Sequence, residues 1–390
     1  MNKIPTKKSG FNPNWQIKTL NEVCDKISAG GDKPDDCTTE KTEENQIPIF
    51  SNGIKNKGLC GYTKTPTITK PALTISARGT IGFACVRYEP FFPIVRLICV
   101  IPNEKLVILE FLCYALQYII PQGEGTSVPQ LTIPNFKKIE IPIPPLDEQK
   151  RIASALSKID AYLENTIKLI EEKERFKRGI AKKLLTCKEG ENIPEARFKG
   201  FEDEWEIVKL GDMFDNFKEK NNEDKIILAS TIDKGVIPNS LTERKIIRKK
   251  ESLSNYKLVK KGCFVISLMS FQSGFEYSDY EGIISPAYTV LKPKIEMAHY
   301  FYKYYFKSFK FIKDLRPYAE GIRHGKQIKF KACKDILVPY PSIEEQEKIG
   351  GYLSLLDAEI DNLKKQKELI KEMKRGAMQK LLSGKVRLLE

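Results

Sequence analysis

The chain has 390 residues, of which 41% are hydrophobic, so it can bury the cores of two or three domains and is not a disordered protein. Its formal net charge of +14 fits either simple solubility or a polyanionic partner such as a nucleic acid. Nine cysteines without a CxxC pair exclude a clustered zinc site, and without an apolar membrane span or signal peptide we expect a cytoplasmic protein that has no membrane partner.

The N-terminal part predicts a flexible segment, residues 1–14, followed by a β-rich globular domain, residues 15–145. Four β-type runs bounded by Gly and Pro support this domain, and they begin at Ile47, Ala72, Phe83 and Ile94. One helix interrupts them, because apolar residues recur at a spacing of three and four from Leu106 onwards.

A block of 47 residues occurs twice, at 139–185 and 336–382, with 19 identical positions. Each copy opens with a Pro-rich strand and continues with an acidic first helical turn, LDEQ or IEEQ, which suits a helix N-terminus. About 40 residues of heptad-like apolar spacing follow, as in a coiled coil. A shorter repeat, GFNPNWQIKTL at Gly10 and GFEDEWEIVKL at Gly200, precedes each globular part. The chain is therefore predicted to be a tandem duplication.

The predicted fold class is α+β, with two similar globular domains joined by two long antiparallel coiled-coil helices that are related by a pseudo-two-fold axis. A single long helix cannot bury its apolar stripe alone, so we expect the two copies to pair. A second predicted helix, HYFYKYYFKSF from His299, places Phe301 at the same offset from Phe111 as Trp205 has from Trp15, so the globular domains should share a fold. The remaining predicted boundaries are a central helix at 146–187, a linker at 188–204, the second globular domain at 205–342 and a C-terminal helix at 343–390.

The sequence contains no convincing catalytic motif. It has neither a Gly-rich dinucleotide or phosphate loop nor an NPPY-type methyltransferase motif. Glu148-Gln-Lys150 superficially offers the Glu-x-Lys of a metal-dependent nuclease, but its counterpart, Glu345-Gln-Glu347, lacks the lysine. Capping of a helix start explains these carboxylates, so we predict no catalytic residue and no metal site.

Candidate nucleic-acid contacts lie in loops that differ between the two globular domains. Arginine can pair with guanine and glutamine with adenine in the major groove, while lysines more often position phosphates. Ordinary solvated surface residues are the alternative explanation for each of them. The candidates in the first domain are Lys55, Lys57, Arg78, Thr80, Thr126, Ser127 and Gln130. The candidates in the second domain are Ser270, Gln272, Ser273, Arg316, Arg323, His324, Lys326 and Gln327.

The repeated P-[IY]-P-x-[LI]-[DE]-E-Q-x-x-I blocks at 142–152 and 339–349 resemble the specificity subunits of type I restriction–modification systems. The GF…W openers and the tail at Lys380–Arg387 add to this resemblance, which covers nearly the whole chain. The first copy departs from the pattern, because LLTCKEG lacks the GK that follows LLS in the second copy. The resemblance implies two target-recognition domains that each read one half of a bipartite site in double-stranded DNA, with helices that set the gap.

The resemblance also implies partner proteins. Two methylation subunits and further restriction and translocation subunits would carry S-adenosylmethionine, ATP and magnesium, and this chain would carry no cofactor and would not be an enzyme by itself. Two identical partners need equivalent docking surfaces, for which Glu148, Gln149, Glu345 and Gln346 at the helix starts are candidates. Two alternatives remain open, which are a coiled-coil scaffold without sequence-specific DNA reading and a stand-alone nuclease or methyltransferase.

Overall fold

The computed structural model describes the chain as two compact units. The described residues are 11–120, 131–242, 253–266, 274–320 and 327–388. The first unit comprises Met1–Ile167 and Lys365–Glu390, and the second unit comprises Lys168–Lys364. The boundaries at residues 167 and 364 both fall inside a long helix, and they are 197 residues apart, which is also the offset between the two 47-residue blocks.

The first unit combines short strands with helices, which confirms the α+β class. Its strands are β1 (Gln16–Thr19), β2 (Cys24–Ala29), β3 (Ile47–Phe50), β4 (Leu59–Thr63), β5 (Ala72–Ile75), β6 (Ala84–Arg87), β7 (Phe92–Pro93), β8 (Ile98–Pro102) and β9 (Glu140–Ile143). Its helices are α1 (Leu20–Val23), α2 (Leu109–Ile119), α3 (Ile133–Lys137) and the first part of α4 (Leu146–Leu185). The sheets have the strand orders β2-β8-β5-β6, β4-β3-β7 and β1-β9.

The core of the first unit lies between α2 and the four-stranded sheet. Leu73 and Ile75 alternate along β5 and share one buried cluster with Phe111 and Leu116 of α2. The four predicted β-type runs form β3, β5, β6 and β8. The last of these begins only at Ile98, because the residues before it form a tight turn.

The second unit has its own set of elements. Its strands are β10 (Glu206–Lys209), β11 (Phe214–Phe217), β12 (Leu228–Thr231), β13 (Gly235–Pro238), β14 (Lys257–Val259), β15 (Phe264–Ile266), β16 (Phe275–Tyr277), β17 (Gly282–Ile284), β18 (Thr289–Pro293), β19 (Ala319–Glu320), β20 (Gln327–Ile328) and β21 (Leu337–Tyr340). Its helices are α5 (Leu210–Met213), α6 (His299–Tyr305), α7 (Phe309–Leu315), α8 (Phe330–Cys333), the second part of α4 and the first part of α9 (Ile343–Leu381). The second part of α9 belongs to the first unit. The four-stranded sheet has the order β11-β18-β15-β16, which matches that of the first unit.

The core of the second unit is aromatic. Phe306 packs against Phe264 and Phe311, with ring centroids 5.2 and 4.7 Å apart, and all three side chains are fully buried. The prediction of one continuous helix from His299 is wrong at its end. The helix stops at Tyr305, and Ser308 starts α7 by accepting a hydrogen bond from the Phe311 backbone N–H at 3.2 Å.

The shorter repeat and the 47-residue block form one structural element in each unit. Strand β1 of the first opener pairs antiparallel with β9 of the first block, and β10 pairs in the same way with β21. The opener tryptophans, Trp15 and Trp205, are buried beside these strand pairs. The two repeats therefore occur together because the strand of each opener pairs with the strand that leads into a long helix.

Each unit contains the same tyrosine–aspartate–lysine contact along its helices. In the first unit Asp160 of α4 accepts a hydrogen bond from the Tyr114 hydroxyl at 2.8 Å and pairs with Lys374 of α9 at 2.6 Å. In the second unit Asp357 of α9 accepts from the Tyr304 hydroxyl at 2.7 Å and pairs with Lys177 of α4. Each contact joins the globular part of a unit to both of its helix segments.

A buried carboxylate stands in the first turn of each long helix. Glu148 is 2% exposed and accepts two hydrogen bonds from Arg387, at 2.6 and 2.8 Å. Glu345 is 1% exposed and accepts two hydrogen bonds from Arg197, both 2.8 Å long, and a third from the indole N–H of Trp205. These hydrogen bonds are the main reason why the pKa of each arginine is raised. The arginines come from different places, the C-terminal tail in the first unit and the linker in the second.

The two arginines give a test of unit-specific stability. Arg387→Ala should speed amide hydrogen exchange in the first unit, because it leaves the buried Glu148 carboxylate without its partner, whereas exchange in the second unit should not change. Arg197→Ala is the matched variant and should have the opposite pattern. Hydrogen exchange followed by mass spectrometry measures both, and equal effects on the two units would contradict the assignment.

Candidate nucleic-acid interface

Three loops of the first unit meet at one end of its four-stranded sheet. They are the β3–β4 loop (residues 51–58), the β5–β6 loop (76–83) and the β7–β8 turn (94–97). The side chain of Asn52 joins them, because its carbonyl accepts the backbone N–H of Ala77 at 2.8 Å and its amide donates to the carbonyl of Val95 at 2.7 Å. Gly53 N–H also donates to the Ser76 hydroxyl at 3.2 Å. The loops therefore form one surface, named here the three-loop surface.

The structure brings four of the predicted contact residues to the three-loop surface. Lys55, Lys57 and Arg78 are exposed, and Thr80 is half-buried. Lys57 has a left-handed backbone with φ near 53°, and its carbonyl accepts a hydrogen bond from Arg87. This hydrogen bond holds the basic turn in place.

Three further candidates of the first domain lie outside the described residues, in segment 121–130; they are Thr126, Ser127 and Gln130. The described residues on both sides of the segment contact the β5–β6 loop. Ile120 lies against Gly82, where an added Cβ would be 2.8 Å away, and the Leu131 N–H donates to the Ala77 carbonyl at 3.1 Å. The two flanking residues are therefore next to the loop that carries Arg78.

Most candidates of the second domain also lie outside the described residues; they are Ser270, Gln272 and Ser273 in segment 267–273, and Arg323, His324 and Lys326 in segment 321–326. The backbone of Gln327 belongs to β20, whereas its side chain is outside the described part of the structure. Arg316 is exposed at the start of a short 3-10 turn, Arg316–Tyr318, directly after α7.

In the second unit a lysine that follows α6 links one corresponding turn to the four-stranded sheet. Lys307 lies 2.7 Å from the buried carboxylate of Glu276 in β16 and donates to the Ile232 carbonyl at 2.6 Å. Ile232 belongs to the turn between β12 and β13, which corresponds to the loop with Lys55 and Lys57 in the first unit. The two units thus fix the equivalent turn, β3–β4 or β12–β13, with different side chains.

The sequence interpretation missed a lysine cluster in the second unit. Lys257 donates to the Tyr288 carbonyl at 2.6 Å, and its pKa is lowered by burial and by the charges of Lys218 and Lys220. The cluster lies where β11 ends and β18 begins, because the Leu258 N–H donates to the Glu219 carbonyl at 2.8 Å. Glu219 lies between Lys218 and Lys220, and Lys257 is 37 residues further along the chain, so the local sequence gives no sign of the cluster.

The predicted docking residues are not on the surface. Gln149 and Gln346 are fully buried, like the carboxylates of Glu148 and Glu345. Gln149 accepts the Ile108 backbone N–H at 2.9 Å and donates to two carbonyls, and Gln346 accepts the N–H of Ala298 at 2.9 Å. These glutamines attach the residue before α2 or α6 to the long helix. The structure therefore corrects the sequence-based assignment, because these four side chains are used inside the chain and not for docking.

Across residues 11–120, 131–242, 253–266, 274–320 and 327–388, no group of three or more His, Cys, Asp or Glu is arranged to hold a metal ion. Among the helices within those ranges, none is both long enough and apolar enough to cross a membrane.

Comparison with known proteins gives consistent matches. A family model described as the type I restriction modification DNA specificity domain matches residues 12–172 and again 202–372. A Mycoplasma pneumoniae protein named as a type I specificity subunit is 37% identical over 38% of this chain, and the match spans 45% of that protein's length. The specificity subunit of the type I restriction enzyme MjaVIII from Methanocaldococcus jannaschii is 28% identical over 73% of this chain and 72% of its own length.

A solved structure supports the same fold. The S subunit of a type I restriction–modification system from M. genitalium superimposes with a TM-score of 0.61 over 98% of this chain and 99% of that chain, at 20% identity. At this level of identity the likeness concerns the fold alone.

Asn52 gives a test of the three-loop surface. Asn52→Ala removes the acceptor of the buried Ala77 N–H and the donor to Val95, so it should lower the free energy of unfolding by about 1–2 kcal/mol. Urea denaturation measures this loss. Asn135→Ala changes an exposed asparagine of the same unit and should cost less than about 0.5 kcal/mol. Equal losses would mean that Asn52 does not organise the loops.

Proposed function

We propose, since the chain belongs to the type I restriction modification DNA specificity family, that it is the sequence-recognition subunit of a type I restriction–modification complex. One observation carries the proposal. Equivalent sheets in the two units carry equivalent loops that differ in their residues, because Asn52 fixes the β3–β4 loop in the first unit and Lys307 fixes the β12–β13 turn in the second unit. Two globular domains that share a fold but differ in their loops suit recognition of a bipartite, asymmetric DNA site.

Each unit would read one half-site through its loops. Basic residues such as Lys55 and Lys57 would bind phosphates and set the position of the duplex, whereas Arg78 can reach base edges. The long helices α4 and α9 would set the number of unread base pairs between the half-sites. DNA binding of this kind weakens strongly with salt, because each neutralised phosphate releases counterions.

The chemistry would belong to partner subunits. Two methylation subunits would supply S-adenosylmethionine-dependent methylation, and restriction subunits would supply ATP- and magnesium-dependent cleavage. The alternative of a stand-alone nuclease or methyltransferase would need catalytic residues on this chain, and the sequence contains no convincing catalytic motif. The alternative of a scaffold without DNA reading gives no reason for the basic loops in each unit.

Two exposed apolar residues on the long helices suggest where methylation subunits dock. Phe176 of α4 is 53% exposed and Met373 of α9 is 50% exposed, and the two positions are 197 residues apart. Two copies of one partner need such repeat-related contacts. We expect Phe176→Ser combined with Met373→Ser to abolish co-purification of a methylation subunit, because apolar anchors dominate interface energies.

The control for this docking test is a pair of exposed charged residues on the same helices. Lys168→Ser combined with Lys365→Ser changes another pair of repeat-related positions and should leave co-purification intact. Retained binding by the Phe176 and Met373 double variant would place the docking surface elsewhere.

The function itself is tested by expressing the chain with the methylation subunit encoded beside it and sequencing the methylome of the host DNA. A new bipartite methylated motif that requires both proteins is the expected result. A purified chain that modifies DNA by itself would support the enzyme alternative. A complex without a motif or sequence preference would support the scaffold alternative.

A further inference from the structure

We propose that Arg96, in the β7–β8 turn of the first unit, contacts the DNA of the first half-site beside Arg78. The inference deepens the proposed function and rests on it. Arg96 follows Val95, whose carbonyl accepts from Asn52, and Arg78 follows Ala77, whose N–H donates to Asn52. One side chain therefore fixes the backbone immediately before both exposed arginines.

The turn that presents Arg96 is strained. Val95 and Arg96 have φ values of 55° and 57°, a left-handed conformation that is unfavourable for a β-branched residue. Two hydrogen bonds hold it, from Val95 N–H to the Gly31 carbonyl at 2.8 Å and from Arg96 N–H to the Gly30 carbonyl at 3.0 Å. A Cβ on Gly30 would be 2.6 Å from the Pro93 backbone, so only glycine allows this approach. Such strain is commonly retained where a backbone must present a functional side chain.

The electrostatics of the three-loop surface favour a polyanion. Segments 51–58, 76–83 and 94–97 together contain four basic residues, namely Lys55, Lys57, Arg78 and Arg96, and no Asp or Glu. The nearest acidic residue along the chain is Glu89, between the second and third segments, and the nearest before the first segment is Glu44. The surface is thus a local concentration of positive charge on loops, which is the arrangement that duplex DNA attracts.

Arg87, another arginine of the first unit, has a structural role and serves as a comparison for Arg96. Arg87 lies 3.5 Å above the ring of Phe50, and its Nε donates to the Thr74 hydroxyl at 3.1 Å. Its guanidinium is therefore used for packing inside the unit. Arg96 is instead exposed at the tip of its turn.

The second unit keeps positive charge at the corresponding corner with other residues. Its β17–β18 connection, residues 285–288, contains no Arg or Lys. Lys218, Lys220 and Lys257 lie there instead, at the end of β11 and the start of β18. Both units therefore have positive charge at this corner, but they use different residues. This is expected if each unit binds a different half-site.

The test compares Arg96→Asn with Lys105→Asn in the full chain bound to its methylation subunits. Asparagine tolerates the left-handed backbone, so the turn is kept while the charge is removed. Lys105 is also exposed and lies beyond the other end of β8, which makes it a matched loss of charge. Affinity for a duplex containing the motif methylated by the wild-type complex should fall roughly tenfold for Arg96→Asn and less than about twofold for Lys105→Asn.

The methylated motif and the salt dependence of binding identify the kind of contact that Arg96 makes. A motif that becomes relaxed at one position of one half-site indicates base reading, whereas an unchanged motif with a salt slope reduced by about one indicates a phosphate contact. Either result supports the proposal. The proposal is overturned if Arg96→Asn has the same DNA affinity and the same methylated motif as Lys105→Asn. Thermal melting must show that both variants are folded. If the wild-type complex methylates no motif, the proposed function fails and this inference fails with it.

Discussion

The structure depends on a buried carboxylate in the first turn of each long helix, which must be neutralised by an arginine that does not belong to the repeated block. Glu148 and Glu345 are equivalent, but their partners, Arg387 and Arg197, come from the tail and the linker. A buried unpaired charge is very costly, so each unit is complete only when that arginine is in place. The C-terminal tail is therefore part of the first unit, where Asn12 N–H also donates to the Ser383 carbonyl at 2.8 Å.

A rigid frame of this kind allows the loops to vary. Gln149 and Gln346, with the tyrosine–aspartate–lysine contacts, fix each globular part on its helices through hydrogen bonds that are the same in both units. The loops at the far end of each sheet do not have to supply this stability. They can therefore form a strained turn in one unit and a lysine cluster in the other. Such differences are needed if the two units recognise different DNA sequences.

The duplication, the α+β class and the long helices could be predicted from the sequence, because a 197-residue offset and a heptad-like spacing are visible without coordinates. The roles of Glu148 and Gln149 could not. An acidic helix start looks the same whether it faces solvent or an arginine 239 residues further along the chain. Similarly, nothing local distinguishes Ser308 as a helix cap from a serine inside a helix, so the helix from His299 was predicted too long.

Some candidate contact residues could also be located from the sequence, and others could not. The positions of Lys55, Lys57 and Arg78 in exposed loops could be predicted, because basic residues beside glycines at strand ends indicate such loops. The position of Arg96 in a turn could not, because the run from Ile94 to Ile101 is apolar apart from this arginine and reads as one continuous strand. Only the hydrogen bonds to Gly30 and Gly31 show the turn.

The measurement that tests the central claim most directly is hydroxyl-radical footprinting of the complex on its methylated site. Two protected stretches separated by an unprotected gap are expected, because each unit is proposed to read one half-site while the helices between them read nothing. A single continuous footprint, or protection independent of sequence, would contradict the account.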